Sequence, residues 1–131
     1  MKNEWSKSWK ASKRPGKQRK YTANAPLHIK SKLLNVHLSK ELRDKYKFRN
    51  VRVKKGDKIK ILVGDHKGQT GKVNRVRMIN QKVYVEGIEN IKKDGNKVFI
   101  PFKPSNLIIV ELDLTDKIRK AKLERKIKEK K

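Results

Sequence analysis

The residues of this 131-residue sequence that could do chemistry are its 38 Lys and Arg, which stand against 13 Asp and Glu. Their chemistry is to hold phosphate. A formal net charge of +25 repels itself unless a polyanion neutralises it. Each phosphate contact also releases counterions, so nucleic acid is the partner the composition selects. An anionic membrane surface is the weaker candidate, because no long basic helix with a rich apolar face is present. Catalytic sets are missing. His28, His37 and His66 lie in three local settings without an i,i+4 pair, and there is no cysteine to complete a metal site. They read as solvent- or phosphate-facing imidazoles. Asp57, Asp65, Glu86, Glu89 and Asp94 read as turn formers and ion-pair partners of nearby lysines. Gly64, Gly68 and Gly71 do not make a nucleotide-binding loop, since the sequence after them restarts as a strand and not a helix. No enzyme, cofactor or metal is expected.

The placement of charge says more than its total. Residues 1–55 hold 18 Lys or Arg and 3 acids, residues 56–116 hold 11 and 8, and residues 117–131 hold 9 and 2. A nearly neutral middle flanked by basic ends is the layout of a small domain with arms. Candidate phosphate contacts in the first arm are Lys13, Arg14, Lys17, Arg19, Lys20, His28, Lys30 and Lys32. Arg43 follows on a short helix, then Arg49, Arg52, Lys54 and Lys55 around a strand. Within the domain, Lys67, Lys72, Arg75 and Arg77 form the expected binding surface. RNA is favoured over DNA, because no helix reads as a major-groove element and irregular basic arms suit the cavities of folded RNA.

The elements that must position these side chains centre on residues 55–73. Lys55-Gly56-Asp57 is a turn signal, and Ile59, Ile61 and Val63 share one face of a strand. A loop with glycines at 64, 68 and 71 leads into a strand from Lys72. Gly56, Gly64, Gly68 and Gly71 are expected to set loop geometry, Gly71 through a positive φ or a close approach that a Cβ would obstruct. Val73 and Val76 fall on opposite phases of the next strand, which predicts a bulge between them. Asn80-Gln81 and Asp94-Gly95 predict hairpin turns. Pro101 predicts an edge strand, and Leu107-Ile108-Ile109-Val110-Glu111-Leu112 the central closing strand.

These strands predict a mostly β fold, a small antiparallel barrel over 48–114. Ahead of it lie a basic extended arm over 1–37, disordered when alone in water, and a short helix over 38–47 capped by Ser39. A basic C-terminal helix over 115–131 follows, with a thin apolar stripe of Ile118, Ala121, Leu123 and Ile127; it is expected to be ordered by a partner, with Lys130 and Lys131 frayed. Trp5 and Trp9, four apart, would lie together on a helical turn, to stack on unpaired bases, dock on a partner or cover an apolar patch.

From Lys55-Gly56-Asp57 to Gly71-Lys72-Val73 the sequence resembles the KOW motif. Gly16-Lys17-Gln18-Arg19-Lys20, Ala25-Pro26-Leu27-His28, Leu38 to Arg43, Val83 to Gly87 and Pro104-Ser105-Asn106-Leu107 extend the resemblance, in order, to the archaeal and eukaryotic branch of one ribosomal family of KOW proteins. That resemblance implies an SH3-like barrel that binds large-subunit ribosomal RNA, supports early assembly and lies near the exit of the peptide tunnel. Implied partners are this rRNA, neighbouring large-subunit proteins and, at the exit, nascent chains or targeting factors, with no membrane insertion and a cytoplasmic location on the ribosome. The alternative is the KOW module of a transcription-elongation factor that binds RNA and polymerase. Such a factor should carry a further domain ahead of the KOW unit, where residues 1–37 read as an arm.

Overall fold

The computed structural model describes residues 5–8 and 11–129. Helices α1 (Pro15–Asn24) and α2 (Leu27–Lys32) lead into strand β1 (Asn35–Leu38) and helix α3 (Lys40–Tyr46). Six further strands follow: β2 (Asn50–Arg52), β3 (Lys58–Ile61), β4 (Thr70–Arg77), β5 (Lys82–Ile91), β6 (Lys97–Phe102) and β7 (Leu107–Glu111). Helix α4 (Lys117–Glu129) closes the described chain. The strands hydrogen-bond in the order β2-β1-β7-β3-β4-β5-β6. This is the expected small SH3-like β architecture, with two differences. The ladder is open, since β2 and β6 do not pair, and β1 runs parallel to β7 while the other pairings are antiparallel.

The expected extended arm over 1–37 is a further difference, one of kind. From Pro15 on it carries α1, α2 and most of β1, and Leu34 and Val36, with Leu38 just beyond it, are fully buried in the core. Alternation is invisible in a four-residue strand, yet it is fixed here by pairing with β2 on one side and β7 on the other. Helix α1 buries none of its residues; Pro15 starts it, where a missing N–H costs nothing. Trp5 holds it from outside: its indole N–H donates to the Tyr21 carbonyl at 3.0 Å and the two rings lie 4.9 Å apart. Trp5 therefore packs on the chain's own helix, whereas Trp9 lies outside the described residues, as do Lys130 and Lys131.

Local chemistry accounts for most of the other elements. The Ser39 hydroxyl accepts from the Leu42 amide and caps α3, which ends at Lys47 in the left-handed region. Pro101 lies in the edge strand β6, and β7 runs between β1 and β3 in the middle of the sheet. The phase change in β4 is a register shift between Val73 and Arg75 that leaves Asn74 unpaired. Ile59 and Ile61 enter the core, but Val63 does not: β3 ends at Ile61, and Val63 is 59% exposed.

Helix α4 is tied to the sheet by groups of this chain. Arg119, 7% exposed, donates from Nη1 to Asp57 Oδ1 at 2.6 Å and from Nη2 to Asp57 Oδ2 at 2.7 Å. The same guanidinium reaches the Asp113 and Arg52 carbonyls, while the Lys54 and Asp113 amides donate to the Asp57 carboxylate. Asp57 is thus a turn former as expected, but its ion-pair partner is an arginine sixty-two residues away and no nearby lysine. Leu123, one turn beyond Arg119, is buried, and Ile118 of the expected stripe is 81% exposed. The inward face of α4 is set by Arg119 and Leu123. Two flanking carboxyls secure the start of the helix. A hydrogen bond from the Thr115 hydroxyl holds the Asp113 carboxyl below its ordinary range, and one from the Lys54 ammonium does the same for Asp116.

Candidate nucleic-acid interface

The basic side chains expected to meet phosphate sit on four parts of the fold. Lys13 and Arg14 precede α1, and Lys17, Arg19 and Lys20 are exposed along it; His28 and Lys32 are exposed on α2. Lys30 is the exception. At 8% exposure it is covered by the fold and is not presented to a ligand. Arg43 on α3 is exposed, with its Nε–H donated to the Leu38 carbonyl at 3.1 Å. His37 in β1 is half-buried and its Nδ1 has no partner, so it does not face solvent as expected.

The strand side gathers more of the set. Arg49 and Arg52 are exposed on and beside β2, where Arg52 Nη1 donates to the Ser31 hydroxyl at 2.7 Å. Lys54 and Lys55 follow in the turn to β3. Gly56 in that turn has φ +93, the conformation a type II turn requires at its third residue. Lys54 is not a free cation, because its ammonium pairs with Asp116. Lys55 is exposed and without an ion-pair partner among the described residues. The fold brings Arg52, Lys54, Lys55 and Arg75 together around one groove between β2 and β4. Lys72 and Arg77 are also exposed on β4.

Lys67 projects from the loop between β3 and β4, which its own backbone ties shut. The Gly68 amide donates to the Ile61 carbonyl at 2.8 Å, and the Lys67 amide to the Gly64 carbonyl at 3.1 Å. Gly64 and Gly68 both have positive φ with open space beside them, whereas Gly71 is constrained by packing. A Cβ there would stand 2.5 Å from Val85 Cγ1 and 2.9 Å from the Glu86 carbonyl oxygen. That carbonyl belongs to the neighbouring strand and cannot rotate away. Gly71→Val should therefore push β4 from β5 and cost about 1–3 kcal/mol, the usual range for overpacking a tight site. A chemical-denaturation midpoint equal to that of the unaltered chain would show that the strands separate without cost.

The expectation from residue types alone missed two groups. Arg119 is spent on Asp57 and the Asp113 and Arg52 carbonyls, and fixes the helix beside Arg52 and Lys54. Asn74 lines the β2–β4 groove beside Arg75; its only signal in the sequence is the change of phase that predicts a bulge. Among the described residues no group of acids and histidines could hold a metal ion, and no helix is long and apolar enough to cross a membrane.

The open sheet carries exposed cations on its strands and arms and, among the described residues, no convergent catalytic set, and comparison with known proteins gives the chain its family. Residues 12–126 match the family model of ribosomal proteins described as L26 in eukaryotes and L24 in archaea. The chain belongs to this ribosomal L26 family. Three curated relatives, each a large ribosomal subunit protein uL24, agree with the assignment. That of Methanospirillum hungatei is 47% identical over 112 residues, covering 86% of this chain and 93% of the relative. Those of Korarchaeum cryptofilum and Methanosphaera stadtmanae are each 42% identical, over 88% of this chain and 88% and 99% of their own lengths. Membership in the L26 family makes the chain a structural ribosomal component and not an enzyme. It also replaces the transcription-elongation reading, since the match runs through the N-terminal helices and into α4 as well as the KOW segment.

Proposed function

We propose that this chain is a structural constituent of the large ribosomal subunit in the cytoplasm, binding large-subunit rRNA and supporting its early assembly near the exit of the peptide tunnel. The observation that carries the reading is the set of exposed, unpaired cations around a nearly neutral sheet in a chain of the ribosomal L26 family. Lys17, Arg19 and Lys20 on α1, Lys55 beside β3, and Lys72, Arg75 and Arg77 on β4 neutralise phosphates. The sheet holds the second group in fixed relation, so these contacts select the shape of folded RNA. Neighbouring large-subunit proteins complete the site, and nascent chains or targeting factors are the further partners that the tunnel-exit position would supply.

Mapping protein-to-rRNA crosslinks in intact large subunits tests both binding and position. The expected adducts fall on α1, on the β2–β3 turn and on β4, and their RNA partners cluster around the tunnel exit. Adducts to polymerase-bound transcripts, with none to large-subunit rRNA, would sink the proposal.

A further inference from the structure

One groove does more than collect charge. It lies between the end of β2 with its turn and strand β4, and its volume is about 570 Å³. Val76 and the exposed Met78 form its apolar floor, backed by Leu34 and Val53 of the core. Four cations surround this apolar floor, and two of them are occupied: Lys54 pairs with Asp116 and Arg52 bonds Ser31. Lys55 and Arg75 are exposed and have no ion-pair partner among the described residues. The register shift between Val73 and Arg75 leaves Asn74 out of the ladder, and Asn74 lines the groove. Among the described residues its side-chain amide has no hydrogen-bond partner.

An apolar floor, one unused amide and two free cations are complementary to a single unstacked nucleotide. The base covers the aliphatic and thioether groups, the amide reads its edge, and the phosphates on either side meet the cations. A lone phosphate would leave the floor uncovered, and an apolar protein segment would desolvate Lys55 and Arg75 without pairing them. A side-chain amide presents one donor and one acceptor side by side, which pair with the adjacent acceptor and donor on the open edge of an unpaired base. We infer that this groove seats one unstacked nucleotide of RNA, its base edge paired with Asn74 and its phosphates on Lys55 and Arg75. The inference rests on the RNA-binding reading above and names what one part of that surface recognises.

The test uses the full chain bound to large-subunit rRNA, irradiated and digested for mass spectrometry. The expected result is a nucleotide adduct on the peptide containing residues 74–78. Asn74→Ala, checked for unchanged circular dichroism, should weaken binding about five-fold or more, the loss expected for a good two-bond base contact. An abasic nucleotide at the crosslinked position should weaken the unaltered chain at least as much, because it also uncovers the floor, and the two changes together should cost no more than the abasic change alone. Binding to rRNA with adducts only elsewhere, and an effect of Asn74→Ala below about two-fold against that same benchmark, would overturn the nucleotide seat while leaving rRNA binding intact. Failure of the unaltered chain to bind rRNA at all would remove both. An adduct joining the groove to another protein would assign it to a protein partner and overturn the inference.

Discussion

Arg119→Ala is expected to lower the unfolding free energy of the full chain by about 3–5 kcal/mol, the range for removing one partner of a buried ion pair. The size follows from what is left behind. Asp57 is fully buried, and after the substitution its carboxylate keeps two amide donors, from Lys54 and Asp113, but no countercharge. The Arg52 and Asp113 carbonyls would also lose their donors from the guanidinium. Arg119→Lys restores the charge but not the planar fork that reaches both oxygens and both carbonyls, so it should recover only part of the loss. An apolar pair at 57 and 119 should do better than either single change, because it removes the desolvation cost together with the attraction. Denaturant unfolding gives the free energies, and hydrogen exchange of the α4 amides locates the change. A loss below about 1 kcal/mol would place the pair among solvent-exposed ion pairs, and helix α4 would then rest on Leu123 and the Lys54–Asp116 pair.

This latch explains which parts of the molecule were legible in the sequence. The Ser39 cap, the Asp94-Gly95 turn, the β4 bulge and the edge position of Pro101 all rest on interactions within a few residues, and each can be read from local spacing. Asp57 and Arg119 are sixty-two residues apart, and nothing local distinguishes Arg119 from the other cations of the C-terminal segment. Strand β1 escaped for a similar reason: four residues carry too little periodicity, and the parallel partner β7 lies some seventy residues on. Alternation misled at Val63, where the pattern runs on but the chain has left the ladder for the loop at Gly64. For the interface, residue type identified the cations but could not separate free ones from spent ones. Lys30 is covered by the fold, and Lys54 is held by an aspartate from the far end of the chain.

The distinction between free and spent cations predicts how salt should act on binding. Raising monovalent salt from about 50 to about 200 mM should weaken the complex with large-subunit rRNA by about 10³–10⁵-fold, the loss associated with six to ten phosphate contacts. Exposed cations on α1, beside β3 and on β4 are sufficient for that number. A single substitution then reports on its own contact. Lys72→Gln or Lys67→Gln should lower the slope of log affinity against log salt by about 0.7–0.9, one counterion released per phosphate. Lys54→Gln should leave the slope nearly unchanged, because that ammonium already neutralises Asp116 and releases no counterion when RNA arrives. It should instead loosen the start of α4. Equal slope changes at 54 and 72 would mean that RNA breaks the Lys54–Asp116 pair on binding, leaving Asp116 to repel the backbone it faces. In that case both side chains would meet phosphate, and the sheet face would supply more of the affinity than its free cations alone.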